Sequence, residues 1–343
     1  GDPTVMSTED ITAVGRITIQ SGELGMQNAW LEMGRQDGGG VVKLDFTKCS
    51  DSVSIFPGRV ICVKGRNTDG SIFHVSNVIP PRNYNILSKE TKQPSNMKIA
   101  ISGMPLSDNQ DPESFAPLET ILEAVFDADC DYLFLFGPIL DANNERVRLG
   151  ALKKQPIEAY KHVFSRLALL TANSKCTVYL VLTVDDLLVD PVYPMAGLLD
   201  DTMLKFVPDR VNVLVDLPKP VIELSNNVKI LISPVDILLH LSRTEKSTSG
   251  VVSTPKESSR LARLFDLFKE QDSHYPIYPP VYPCIDYSQD MQLGEFDLLI
   301  TRSVLKSAII QSKLTNSVLL NPGTTLPMFV TVQVTNDNKI NVF

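Results

Sequence analysis

Apolar and polar positions along this chain change rhythm near residue 80. Before it, short alternating segments recur at Thr12 to Gln20, Ala29 to Met33, Val41 to Phe46, Val60 to Val63 and Ile72 to Val78. Glycine and Asn/Asp clusters separate them, Gly38-Gly39-Gly40 and Asn67-Thr68-Asp69-Gly70. A period of two turns one face of each segment inward, so the pattern predicts an antiparallel meander or a small barrel. Asp69-Gly70 suits a hairpin turn because glycine accepts the positive φ such turns need, and Phe56-Pro57-Gly58 turns the chain sharply into the strand at Val60. Residues 80–96, PPRNYNILSKETKQPSN, have no period and are bounded by proline, which predicts a semi-extended linker.

Longer units follow. Lys98 to Ser102 is a buried-type strand, and Leu118, Ile121, Leu122 and Val125 recur at helical spacing. Tyr132 to Phe136 is a further apolar strand, and Pro156 opens a helix whose apolar face is Ile157, Tyr160, Val163, Phe164 and Leu167. Strands are predicted at Val178 to Leu182, Val211 to Val215, Val228 to Ile232, Leu298 to Thr301, Val318 to Leu320 and Met328 to Val334, with a helix at Ser258 to Glu270. Unbroken apolar strands alternating with helices argue for an α/β layered domain covered on both faces. The expected architecture is therefore all-β plus α/β: a five-stranded barrel that fits an OB-fold over residues 8–80, a linker over 81–97, and an α/β domain over 98–343. Residues 243–257, RTEKSTSGVVSTPKE, read as a mobile surface loop.

Composition narrows the functions. With 343 residues, 43% hydrophobic, 21% charged and a mean hydropathy of +0.02, the chain can bury a sizeable core. No apolar run approaches the 18 or so residues that cross a bilayer, and no charged-then-apolar leader opens the chain, so it reads as soluble and intracellular. Gly1 to Thr4 read as a vector-derived scar, since the first methionine is Met6. Cys49, Cys62, Cys130, Cys176 and Cys284 are odd in number with no C-x-x-C pair, which argues for buried free thiols over disulfides or zinc. A net charge of −8 and a pI near 5.1 leave no basic stripe for direct nucleic-acid binding. Any work on DNA is expected to be indirect.

In their placement after apolar strands, the turns at Gly103, Gly137, Thr183 and Asn321 resemble those in which calcineurin-like phosphoesterases hold two metal ions, in D-x-H, G-D-x-x-D, G-N-H-D/E and G-H-x-H sequences. Such a centre needs carboxylate, imidazole and amide ligands around two ions to make hydroxide at neutral pH. Here Gly103 and Pro105 stand in the D-x-H places. Pro138 stands where the bridging aspartate belongs, leaving Asp141. Thr183-Val184-Asp185-Asp186 replaces G-N-H-D, and the turn at Asn321-Pro322-Gly323 has no histidine. His74, His162, His240 and His274 are the chain's four histidines, and none form an H-x-H pair. The remaining polar candidates have structural readings: His162 as a rim residue, His240 in a satisfied hydrogen bond, Asp141 capping the turn Ala142-Asn143-Asn144, and Asp185, Asp186 and Asp190 as loop caps. No Ser-His-Asp set, Walker motif or G-x-G-x-x-G loop is legible.

Five turn sequences occur in family order: Phe56-Pro57-Gly58-Arg59-Val60, Leu135 to Asp141 (LFGPILD), Asp190 to Pro194 (DPVYP), Tyr275 to Pro280 (YPIYPP) and Asn321-Pro322-Gly323. In these the chain resembles the B subunits of eukaryotic replicative DNA polymerases, with DPVYP and YPIYPP favouring the alpha version over delta and epsilon. The resemblance implies an OB-fold followed by a calcineurin-like phosphoesterase α/β sandwich that has lost its metal ligands, at Gly103, Pro105, Pro138, Asp141, Asp185, Asp186 and Asn321. It implies a nuclear, non-catalytic scaffold with no cofactor, which grips the C-terminal domain of the polymerase alpha catalytic subunit and joins primase through the complex for RNA–DNA primer synthesis. Thr324-Thr325-Leu326-Pro327 departs from the basic, glycine-containing stretch the family has there. Tyr275, Tyr278, Tyr282 and Tyr287, held among prolines, are candidate partner-interface residues, since rigid aromatics bind at low entropy cost; covering the core is their other reading.

Two other functions stay open at this point. An active metal-dependent phosphoesterase or nuclease would need the missing ligands. A barrel that binds single-stranded DNA would need a basic groove, whereas the segment to Arg82 has nine acidic and eight basic residues and one tryptophan, Trp30.

Overall fold

The computed structural model describes residues 1–80, 92–195, 201–214, 222–248, 257–281, 285–312, 315 and 317–343. In chain order its strands are β1 (Ile11–Thr18), β2 (Trp30–Glu32), β3 (Val41–Asp45), β4 (Ser54–Ile55), β5 (Val60–Arg66), β6 (Ile72–Ile79), β7 (Ser95–Ser102), β8 (Tyr132–Phe136), β9 (Thr177–Val181), β10 (Val211–Leu214), β11 (Ile222–Glu223), β12 (Lys229–Ser233), β13 (Lys246–Ser247), β14 (Leu298–Thr301), β15 (Ala308–Gln311), β16 (Val318–Asn321), β17 (Met328–Val334) and β18 (Ile340–Val342). The helices are α1 (Ala116–Ala128), α2 (Glu145–Arg148), α3 (Pro156–Asn173), α4 (Asp201–Leu204), α5 (Ile237–Thr244) and α6 (Glu257–Glu270). By contacts the chain forms two compact units. One is Gly1–Asn85 with Leu238–Pro283 and Lys313–Thr315; the other is Ile86–Ile237 with Cys284–Ser312 and Asn316–Phe343.

In the first unit, β1-β2-β3-β6-β5 close into a barrel. Alternation sends Ala13, Ile17, Leu31, Leu44, Val63 and Phe73 into its core, the consequence of a side-chain period of two. The pairs are antiparallel except β3 with β6, which run parallel, so closure is not a plain meander. Turn chemistry sets the next step. Gly58 has φ +95°, and a Cβ there would lie 2.5 Å from the Pro276 carbonyl oxygen, so only glycine lets Tyr278 N–H reach the Pro57 carbonyl at 2.9 Å.

Two expectations in this unit are corrected. Part of the segment 243–257 is ordered: α5 runs to Thr244, and β13 pairs antiparallel with β4. Its composition is polar, but pairing needs only the backbone, and Thr248 adds a reciprocal pair, donating its N–H to Val53 O at 2.9 Å and accepting Val53 N–H on Oγ1 at 3.1 Å. Residues 249–256 lie outside the described residues, as do 81–91 of the expected linker. The four described cysteines are free thiols; Cys130 and Cys176 are buried, whereas Cys49 and Cys62 are half-buried.

The second unit is built on two sheets, ordered β10-β9-β8-β7-β17-β18 and β11-β12-β14-β16-β15. Ile99, Ile101, Phe134, Phe136, Ile230, Ile232, Leu298, Ile300, Leu320 and Val332 make one core cluster with strands from both. The continuous apolar runs are thus explained by strands buried on both faces. β7 begins at Ser95 rather than Lys98, because β17 continues the antiparallel ladder to Ser95↔Val334 whatever the side chains are. α3 starts at Pro156 as its sequence predicts and buries Tyr160, Val163, Phe164 and Leu167. α1 buries Leu118, Ile121, Leu122 and Val125, and ends in a left-handed Asp129 whose N–H caps Phe126 O.

Candidate functional site

The strand-to-turn positions of the second unit come together. β7, β8, β9, β12, β14 and β16 reach their C-terminal ends at Ser102, Phe136, Val181, Ser233, Thr301 and Asn321. Parallel pairing of β7, β8 and β9, and of β12, β14 and β16, brings each group of turns to one edge. Ligand sites of open α/β sheets form at such edges. A cleft of about 350 Å³ there is lined by Pro105, Pro138, Asp141, Asn144, Arg302 and Thr324 among others.

Each expected position has a definite occupation. Asp186 is buried at 1% exposure. Its Oδ1 accepts Ile139 N–H at 2.6 Å and the Tyr160 hydroxyl at 3.3 Å, and its Oδ2 accepts Thr183 N–H at 2.8 Å and Thr183 Oγ1 at 3.3 Å. Burial pushes its carboxyl up to about 6, against the pull of those N–H donors. Gly137 permits this: a Cβ there would lie 2.5 Å from Asp186 Oδ2. Asp141 does what its turn predicts, accepting Asn143 N–H at 2.8 Å, and it forms a bridge with Asp186 through the backbone. Asp185 accepts Asn143 Nδ2 at 3.0 Å; burial, and then the Asp141 charge, raise its pKa.

Asn321 is buried and makes four bonds. Its Oδ1 accepts Ser303 N–H (2.9 Å) and Gly323 N–H (3.1 Å), while its Nδ2 donates to Leu305 O (3.1 Å) and Lys306 O (3.0 Å). It therefore shapes the turn 303–306. Arg302, absent from the sequence expectations, enters from the end of β14 and donates Nε–H to Gly103 O at 2.9 Å. The signal was available: a basic residue directly after a buried apolar strand, at the edge where ligands belong.

Active phosphoesterases hold two metal ions at such turns, and the residues present here do not fit them. Gly103, Pro105 and Pro138 offer no side-chain donor, both Asp186 oxygens are committed to buried N–H and O–H groups, and the Arg302 side chain lines the same cleft as Asp141. Among the described residues no group of three His, Cys, Asp or Glu is placed to hold an ion.

The remaining candidates sort by exposure. His240 Nδ1 lies 2.9 Å from Tyr275 OH, the satisfied bond its setting predicted. His162 is exposed and packs at a tilt against Phe115, ring centroids 5.0 Å apart, on the rim of a second cleft. Tyr275 is a correction: at 1% exposure it belongs to the core, with its hydroxyl also accepting Val281 N–H at 3.2 Å. Tyr278 is 49% exposed with Arg16 5.2 Å over its ring, and Tyr287 is 37% exposed. Tyr282 lies outside the described residues.

Comparison with known proteins adds sequence relationships to this geometry. A family model for the OB domain of the DNA polymerase alpha B subunit matches residues 1–81, and one for the DNA polymerase alpha/epsilon B subunit matches residues 99–301. The DNA polymerase alpha B subunit of Schizosaccharomyces pombe is 29% identical over 94% of this chain and 58% of its own length. The rat protein of the same name, from Rattus norvegicus, is 25% identical over 93% of this chain and 53% of its own. The chain thus spans a little over half the length of these curated relatives. A solved structure from Pyrococcus horikoshii covers 72% of this chain and 86% of its own at 14% identity, with a TM-score of 0.28, too low to carry an argument.

Proposed function

This chain belongs to the family of DNA polymerase alpha/epsilon B subunits, and from that premise we propose that it is a non-catalytic scaffold of the DNA polymerase alpha–primase complex. In this reading the barrel is an OB-fold and the second unit a calcineurin-like phosphoesterase sandwich without its metal chemistry. The observation that carries it is the occupation of the ligand turns: Pro138 in place of a bridging carboxylate, and an Asp186 whose lone pairs are spent on Ile139, Thr183 and Tyr160. What such a unit keeps is a rigid surface. Its partner is the C-terminal domain of the polymerase alpha catalytic subunit, with primase reached through the complex, the nucleus as its compartment and DNA engaged indirectly. Tyr278 and Tyr287 are the exposed tyrosines proposed for the interface.

Co-expression with that C-terminal domain is expected to yield a complex that survives size-exclusion chromatography. Two proteins that elute separately at micromolar concentration would remove the scaffold reading. Incubation of the chain with manganese and a generic phosphodiester is expected to release no product above the protein-free rate. Turnover that Asp141→Ala abolishes would instead identify a working phosphoesterase.

A further inference from the structure

We propose that the cleft between the starts of α1 and α3 is a docking site for an acidic peptide segment of a protein partner, one that carries a large apolar side chain. The cleft encloses about 490 Å³ and lies wholly within the second unit, a size that suits one large side chain with its flanking backbone. Phe115, Leu140, Leu152 and Pro156 form its apolar lining, and Lys154 and Lys161 its cationic part. Leu140 is a buried floor, whereas Phe115 and Leu152 are half-buried and still have surface to cover. The wall between α2 and α3 is pinned from below. Glu113 accepts Lys153 N–H on Oε2 at 3.0 Å and Lys154 N–H on Oε1 at 2.9 Å, with Arg146 Nη2 3.9 Å from Oε2. Those donors answer the carboxylate's charge and hold the two lysines in place.

Charge selects the occupant. The whole chain carries −8, yet residues 146–161 hold five basic side chains, Arg146, Arg148, Lys153, Lys154 and Lys161, against one acidic, Glu158. Arg146 is paired with Asp111 at 2.9 Å and Lys161 with Glu158 at 3.0 Å. Arg148, Lys153 and Lys154 are exposed and make no ion pair among the described residues. Large apolar side chains accompany these cations. Leu149, next to Arg148, is 73% exposed, and Lys161 Nζ lies 5.0 Å from the exposed ring of Phe206. Unpaired cations beside uncovered apolar surface complement a segment that brings carboxylates and an apolar anchor together. A nucleic acid matches less well. Its phosphates need an unbroken track of cations, which Glu158 interrupts, and its backbone offers no anchor for Leu152. The site uses none of the tyrosines proposed for the interface above.

Selection of a random-peptide display library on the immobilised full chain tests this. The enriched sequences are expected to be acidic around one large aromatic or aliphatic residue. By fluorescence anisotropy, a labelled peptide from that pool is expected to bind about tenfold more weakly to a double variant, Lys153→Glu with Lys154→Glu. Lys153→Gln with Lys154→Gln, which puts no new charge beside Glu113, is expected to weaken it about threefold, and an unchanged unfolding midpoint shows that this variant keeps its fold. Leu152→Ala is expected to weaken binding while leaving its salt dependence as in the wild type. A pool without acidic enrichment, or a peptide that binds the wild type and both lysine variants equally, would overturn the proposal. So would a labelled oligothymidylate that displaces the peptide, which would make the cleft a nucleic-acid site. Elution of the chain as a dimer that the lysine variants dissociate would overturn it in favour of a second copy as the occupant.

Discussion

Arg59→Ala is expected to cost the barrel unit about 4 kcal/mol, the range found when one partner of a buried ion pair is removed. Arg59 is 5% exposed, and its Nη2 meets both oxygens of Glu270 at 2.7 and 3.0 Å. Its Nη1 donates to the Ser54 carbonyl. The loss leaves a carboxylate on α6 that is largely out of water and has lost its bidentate partner. Next to it, Gln271 accepts Val60 N–H on Oε1 (2.7 Å) and donates Nε2–H to Val60 O (3.1 Å), in the manner of a strand neighbour. These bonds join the end of α6 to the start of β5. Trp30 lies in β2, so urea unfolding followed by its fluorescence reports this unit. A destabilisation under about 1 kcal/mol would show the pair to be screened like a surface one. Replacing both partners by apolar residues of similar size is expected to be far milder than Arg59→Ala, because no buried charge is then stranded.

Asp186→Ala is expected to cost the second unit about 3 kcal/mol at neutral pH, since it strands the buried N–H groups of Ile139 and Thr183 and the Tyr160 hydroxyl. The effect grows on acidification, and the sign follows from linkage. A carboxyl raised from 3.8 to about 6 in the folded state takes up its proton more readily there than in the unfolded chain. Its favourable contribution is complete below 3.8 and is lost as the pH rises through about 6. The wild-type unit therefore gains stability between about pH 7 and about pH 5 through this group, and the variant lacks that gain. Asp185, also raised by burial, contributes a slope of the same sign. Chemical unfolding at neutral pH and at about pH 5 measures the gap. If it narrows in acid, the carboxyl of Asp186 is not held up by burial.

Local patterns were readable where one residue's neighbours in sequence are also its neighbours in space. The alternation of Ala13 and Ile17 gave away the barrel's inner face, and the proline at 156 marked the start of α3. That Pro138 can offer no side-chain ligand is legible as well, since proline lacks a donor in any conformation. What stayed hidden joins distant segments. β13 pairs with β4 across nearly two hundred residues, and Arg59 meets Glu270 from 211 positions away; neither leaves a period in the sequence. Tyr275 was misjudged for the same reason, because proline spacing shows that a segment is stiff and says nothing of which side faces His240. Arg302 has only a weak local signal, a basic residue after the apolar run 298–301, and that it shares a cleft with Pro138 and Asp141 is visible only once the turns converge.

The chain leaves its second unit at Leu238, contributes residues as far as Pro283 to the first, and then returns. During synthesis the ribosome therefore delivers the barrel strands early and their α6 partner some two hundred residues later, so Glu270 reaches Arg59 long after β5 has emerged. The barrel's last contacts must wait for translation of most of the other unit. Neither unit is separable by one cut, and a nascent chain stalled before residue 270 carries an unneutralised Arg59 exposed to whatever chaperone or protease samples it.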